Sequence, residues 1–399
     1  MSTHPLQPVG IKSQAVNFQV PPPLSLYIHI PWCVRKCPYC DFNSHEARGA
    51  IPESEYVAAL VRDLELALPQ MWGRKFYSVF FGGGTPSLLS GESVAEILRQ
   101  VRMLLPLDHN AEITLEANPG TVEAERFAAY RDAGVNRLSL GIQSFNDAHL
   151  QALGRIHTAE EAKRAIEIAQ QHFDNINLDL MYALPLQSLE QALQDVQTAL
   201  SFAPQHLSCY HLTLEPNTLF AHRPPSLPDD DTSSEMQQRI EELLAAHDYV
   251  HYETSAFAQS KKQSRHNLNY WQFGDYLGIG AGAHSKLSFH DKVLRQARYK
   301  QPQAYLDAVM QGTPVQEERE VTPADLAFEF MMNALRLNAG FDSALFQERT
   351  GLPLLVIRSE LEEAEKRGLL VRERQCIAPT EMGQRFLNDL LEIFLNDSK

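Results

Sequence analysis

Three of the five cysteines in the chain, Cys33, Cys37 and Cys40, fall within a single run of eight residues. Thiolates spaced C-x3-C-x2-C wrap one face of a compact metal centre, and the turns between them turn backbone N–H groups toward bridging sulfides. A closed structural zinc site wants four ligands, usually from two separated pairs, and no second cysteine pair exists here. His29 or His45 is available to complete a Cys3His zinc site, so zinc stays open as an alternative. A four-iron cluster with one iron left without a cysteine matches the spacing better, because an open iron can bind a small molecule directly.

Other chemistry-bearing residues lie farther along. Gly82-Gly83-Gly84-Thr85-Pro86 lacks the side chains that would keep a backbone away from a ligand, yet it has neither the lysine of a phosphate-binding loop nor a dinucleotide fingerprint. A tight structural turn is the other reading of the same run. Glu116 and Gln143 are polar residues at the ends of strand-like segments, where they pair with backbone or face a ligand. Ser264-Arg265-His266-Asn267-Leu268-Asn269-Tyr270-Trp271 groups an imidazole with aromatic rings, as a flat ligand or an axial iron ligand would require, or as a hydrogen-bonded turn would. The glycines at 278, 280 and 282 mimic a nucleotide loop only superficially, because no βαβ unit with a downstream acid surrounds them. Cys209 and Cys376 read as packing residues.

The elements that must position these groups alternate. Strand-like runs near 25–30, 76–81, 112–117, 137–142, 176–181 and 206–213 are separated by helical patterns over 55–68, 94–105, 122–132, 159–171 and 189–202. Such alternation predicts an α/β fold with a parallel sheet, and six units give an open or partial barrel, which periodicity alone does not separate from a doubly wound sheet. Ligands of such folds gather at the carboxyl ends of strands, which is where Gly83, Glu116 and Gln143 fall. Residues 1–23, with five prolines, read as a flexible leader, 24–255 as the barrel and 256–321 as a connecting region. From 322 to 399 the order of helices and two short strands is winged-helix-like.

Composition narrows the function. The net charge of −15 argues against a broad nucleic-acid surface, and the segment 323–399, with 9 Lys and Arg against 13 Asp and Glu, argues against DNA reading there. No apolar run approaches the roughly 18 residues of a membrane span, and the amino terminus carries no secretory pattern. A cytoplasmic protein with reduced cysteines is expected.

The cysteine motif, with an aromatic residue before its last cysteine and after the strand-like Leu26-Tyr27-Ile28-His29-Ile30, resembles the radical S-adenosylmethionine (SAM) superfamily. That resemblance implies a [4Fe-4S] cluster on Cys33, Cys37 and Cys40, SAM on the open iron, an electron donor for the cluster, and cleavage of SAM to a 5′-deoxyadenosyl radical. It implies the same partial barrel. It also implies SAM contacts from Gly83, Gly84 and Thr85, from Tyr27, Glu116 and Gln143, and from Arg155 and Asp179. Arg155 offers a planar fork to a carboxylate, and Asp179 accepts ribose hydroxyls.

The wider run YIHIPWCVRKCPYCDFNS is similar to the branch that contains the oxygen-independent coproporphyrinogen III oxidases and related heme chaperones. Oxidases of that branch extend the motif to C-x3-C-x2-C-x-C, and Phe42 stands at the added position. R-H-N-x-x-Y-W and Y-x-G-x-G-A-G-A-H point to the chaperone side as well. The expectation is a protein that carries heme to a recipient heme protein, with His266 as heme ligand and His284 as substitute; the oxidase is the alternative, and SAM cleavage in the working cycle stays open.

Overall fold

The computed structural model describes residues 15–71, 73–121 and 124–395. Six strands, β1 (Leu24–Ile30), β2 (Phe76–Gly83), β3 (Leu107–Ala117), β4 (Arg137–Gln143), β5 (Ile176–Tyr182) and β6 (His206–His211), run parallel, each beside its predecessor. Helices Glu53–Met71, Gly91–Leu104, Ala124–Ala133, Ala159–His172 and Leu189–Ser201 make the crossovers. This is the predicted α/β partial barrel. β1 is buried along both faces except at Tyr27, as expected for a parallel strand covered on either side. Local signals set the crossover helices: Ser90 caps the second, and Thr158 and Ser188 form capping boxes with Glu161 and Gln191.

Residues 256–321, expected as a connecting region, contribute strands to the same sheet. Asp275–Ile279 pairs parallel with β1 on the side away from β2, and His284–Ser288, Val293–Arg298 and Val315–Glu320 continue antiparallel from it. At the other edge Ala256–Ala258 pairs with β6 and Val250–Glu253 with Ala256–Ala258, giving twelve strands in one sheet among the described residues. The helix Arg265–Trp271 lies under the amino ends of β1 and β2. Asn269 donates to Ser25 Oγ at 3.0 Å, and Glu112 of β3 accepts from the Arg265 and His266 amides at 2.9 and 3.2 Å.

The C-terminal unit packs helices Pro323–Ala334, Ser343–Thr350 and Arg358–Lys366 against a three-stranded sheet of Phe341–Asp342, Cys376–Pro379 and Leu370–Glu373, in winged-helix order. Phe330 meets Phe341 and Phe346 edge-on, each at 5.1 Å. The segment after this sheet forms two helices, Glu381–Arg385 and Leu387–Glu392, because Phe386 leaves helical geometry at φ −110, ψ 47. The expected flexible leader also differs where it is described. Val16 and Phe18 are buried in the C-terminal core, and the Asn17 and Phe18 amides donate to the Gly351 and His290 carbonyls. Residues 1–14 of that leader lie outside the described residues. Among the described residues no helix is long and apolar enough to cross a membrane.

Candidate functional site

Immediately after β1, Trp32–Cys33 pairs with His45–Glu46, and the loop between them carries Cys37 and Cys40. Two anchors shape this loop. Lys36 caps it from within, its ammonium donating to the Phe42 and Ser44 carbonyls at 3.2 and 3.4 Å. Asn43 ties it to the sheet extension, donating to the Ala281 and Lys300 carbonyls at 3.0 and 2.9 Å, while its own carbonyl meets His29 Nε2 at 2.8 Å. Gly84 explains part of the glycine run: a Cβ there would lie 2.5 Å from the Trp32 carbonyl oxygen. That close approach lets the Gly84 and Thr85 amides donate to the Ile30 and Trp32 carbonyls at 2.7 and 2.8 Å. The run therefore serves first to seat the cysteine loop on β2.

All three thiols are unpaired, half-buried and line one cavity of about 450 Å³. Gly83, Gly84, Thr85, Glu116 and Gln143, at or just past strand ends, line the same cavity, together with Asp179 from within β5 and Arg155 from just after the helix Asp147–Ala152. Tyr27 does not join them. It lines an adjoining cleft and bonds His29 Nδ1 at 3.1 Å.

Burial raises the Cys33 and Cys40 thiols above their ordinary pKa, with hydroxyls of Thr85 and Ser44 working against the shift. Arg155 lies 3.7 Å from Cys37 Sγ through Nη1 and donates from Nη2 to the Gly141 carbonyl at 2.8 Å. Its Nε and that of Arg137 are buried without a partner. Deeper in, burial and the neighbouring Asp179 push Glu116 up to about 8. Burial raises Asp179 too, opposed by hydrogen bonds from Asn177, Ser139 and Ser208.

Gln143 occupies left-handed backbone, φ 68, at a bulge where β4 meets β5. A non-glycine residue held there costs about 1–3 kcal/mol, so its surroundings must enforce it. Asp195 does so, accepting from Ser144 Oγ at 2.6 Å and the Phe145 amide at 2.7 Å. Asn43, Arg137 and Asp195 were not singled out in the sequence; Asn43 anchors to carbonyls 238 and 257 positions away and Asp195 to groups 50 and 51 positions away, and no local pattern marks them.

This donor set fits a four-iron cluster. A cube presents three separate iron corners, so its thiolates need not converge on one point. Among the described residues no group of three or more His, Cys, Asp and Glu converges as one metal ion requires, which disfavours the Cys3His zinc alternative. The unpartnered guanidinium nitrogens and paired carboxyls beside the thiols suit a small zwitterionic ligand such as SAM.

The structure places His266 elsewhere. Its ring is 5% exposed, stacked on Phe80 at 4.7 Å, with Nδ1 3.3 Å from Ser78 Oγ, and burial lowers its pKa to about 3. It packs the barrel floor, and no face is open to a porphyrin.

The Radical SAM superfamily model matches residues 27–199, and the HemN C-terminal domain model matches 321–386. The chain is 49% identical over 382 residues to the heme chaperone HemW of Haemophilus influenzae, covering 94% of this chain and 99% of that protein. It is 51% identical over 376 residues to heme chaperone HemW of Escherichia coli, at 94% and 98% coverage, and 34% identical over 381 residues to that of Bacillus subtilis, at 94% and 99%. The solved structure of the radical SAM enzyme coproporphyrinogen III oxidase (HemN) from Escherichia coli superposes with a TM-score of 0.80 over 94% of this chain and 90% of that one; at 23% identity the likeness is one of fold. With full-length relatives at this level of identity, the chain belongs to the HemW family of the radical SAM superfamily.

Proposed function

We propose that this protein is a heme chaperone: it holds a [4Fe-4S] cluster on Cys33, Cys37 and Cys40, binds SAM in the strand-end cavity, and carries heme to a recipient heme protein. The observation that carries the reading is Phe42, 65% exposed at the rim of the cluster cavity, where the oxidase branch places a further cysteine. The names of the full-length relatives support it. A cluster bound here supplies an open iron and an electron delivered by an external donor.

The chain's own residues then have separate tasks. Arg155 presents its fork to a ligand carboxylate beside Cys37. Asp179, oriented by Asn177 and Ser139 at 2.8 and 3.0 Å, accepts hydroxyl donors. Gly83, Gly84, Thr85 and Gln143 border the same ligand, and Tyr27 acts from the adjoining cleft through His29. Five free cysteines suit a reducing compartment, the cytoplasm.

Anaerobic titration of the purified protein with heme, and separately with coproporphyrinogen III plus SAM and a reductant, tests the proposal. Stable heme binding without porphyrin conversion is expected. Conversion to protoporphyrinogen IX would replace the chaperone with the oxidase.

A further inference from the structure

Beside the cluster cavity lies a second cleft, of about 730 Å³, which shares Cys40 and Phe42 with it and to which the functions above otherwise assign only Tyr27 and His29 at one edge. The volume lies within the range of sites for ligands of drug size or larger. Its near wall is the back of the cysteine loop, including Cys40 and Phe42, and its far wall is the antiparallel extension of the sheet with Tyr276, His284 and Lys300.

We propose that heme docks in this cleft, with His284 as its axial ligand and Lys36 and Lys300 facing its propionates. The inference rests on the heme-carrying reading above and moves the ligand away from the buried His266.

The imidazoles decide the assignment. His29 has both ring nitrogens engaged, with Tyr27 at 3.1 Å and the Asn43 carbonyl at 2.8 Å. His45 Nε2 is held on the Lys300 carbonyl at 3.2 Å. His284, the first residue of its strand, is exposed and has no side-chain hydrogen bond among the described residues. Burial and the nearby Lys300 and Arg295 charges lower its pKa, opposed by Glu317, so a lone pair is available at neutral pH.

Charge and shape agree. Lys300 is exposed, lines the cleft and has no carboxylate partner among the described ion pairs; Lys36, exposed on the opposite wall beside Asp41, holds the Phe42 and Ser44 carbonyls and keeps a third N–H for a propionate. Arg295 is committed elsewhere: it pairs with Glu329 at 2.6 Å and donates to the Tyr276 hydroxyl at 2.5 Å, fixing that ring. Tyr276 stacks on Tyr270 at 4.2 Å, which supplies a rigid aromatic face for a flat apolar ligand.

The test is Soret titration of the full chain, cluster loaded, with hemin and with hemin dimethyl ester, which lacks free propionates. His284→Ala should shift the Soret band and weaken hemin binding at least tenfold, and added imidazole should restore the band. Lys300→Glu should weaken hemin binding and leave the dimethyl ester unaffected. His266→Phe should keep the wild-type spectrum. A wild type that binds hemin with an unchanged spectrum and affinity in His284→Ala, or the same loss from His45→Ala instead, overturns the inference and leaves the chaperone reading standing. A wild type that binds no hemin overturns the chaperone reading itself. Iron content and circular dichroism of each variant separate a lost ligand from a lost fold.

Discussion

Gly282 stands so close to Asn43 that a Cβ on the glycine would lie 2.2 Å from the asparagine Nδ2, the atom that anchors the cysteine loop to the Ala281 and Lys300 carbonyls. The glycine-rich run is thus a seat for the metal loop. Gly282→Ala adds that clash to left-handed backbone at φ +83, where an L residue costs roughly 1–2 kcal/mol. The expected result is a folded protein with reduced iron and sulfide content and a lower Tm. Wild-type iron loading would show that Asn43 does not control the loop.

Among the cysteines, Cys33→Ala, Cys37→Ala and Cys40→Ala should each abolish iron loading. Cys209 is buried in β6 and Cys376 is exposed in the C-terminal sheet, so their alanine variants should load normally. Iron and sulfide analysis of all five variants decides this, with about four of each per chain expected where loading survives. Zinc at one equivalent in the anaerobic wild type would contradict it.

Arg155→Ala should weaken SAM binding about tenfold or more, since a charge-assisted bond to a carboxylate contributes about 1.5–3 kcal/mol. Cluster content should fall little, because the guanidinium sits at 3.7 Å from Cys37 Sγ without being a ligand. Equilibrium dialysis with labelled SAM measures the first and iron analysis the second. Unchanged SAM affinity would remove Arg155 from the pocket.

Glu116 has a folded pKa of about 8 against a usual 4.5. A raised folded value contributes stability that is fully present below 4.5 and is lost as pH rises toward 8. Glu116→Gln should therefore flatten the fall in apo-protein stability across that window, a difference on the order of a few kcal/mol at its alkaline end. SAM carries a sulfonium charge, so its binding near neutral pH should release a proton from Glu116. Calorimetry in two buffers of different ionisation enthalpy reads that proton, and its persistence in Glu116→Gln would assign it elsewhere.

Asp63 and Arg298 form a fully buried pair at 3.2 Å, and Asp63 also accepts from the Tyr305 hydroxyl at 3.0 Å and the Gly280 amide at 3.3 Å. This network fixes the base of the glycine run. Asp63→Ala should destabilise by about 3–5 kcal/mol, since it strands a buried guanidinium. The double change Asp63→Leu with Arg298→Met should recover much of that loss in urea denaturation; if it is no better than the single variant, the pair contributes by more than compensating its own burial.

The chemistry was legible in the sequence to the extent that it is local. Cys33, Cys37 and Cys40 lie on one loop, and Gly83, Glu116 and Gln143 fall at strand ends, so the rule that ligands gather at the carboxyl ends of parallel strands brings them together from the sequence alone; Arg155 and Asp179 came from the resemblance to the radical SAM superfamily. The six barrel strands were legible for the same reason, each being a short apolar run followed by a helical period. The sheet extension was not: Asp275–Ile279 and His284–Ser288 are five residues each, separated by a glycine turn, and the pairing of Asp275–Ile279 with β1 joins positions about 250 residues apart.

His266 shows where local reading stops. An imidazole among aromatic residues reads equally as a ligand grip or as core packing. Only the tertiary structure decides between them, by placing Ser78 and Phe80 of a distant strand against the ring and leaving His284 in the open. The sequence by itself determined the metal loop, the βα repeat and the strand-end polar set, because residue type and spacing carry those. The tertiary structure decided which side chains are exposed, which carboxyls burial pushes up in pKa and what anchors the loop, because burial and long-range contact exist only once the chain has closed on itself.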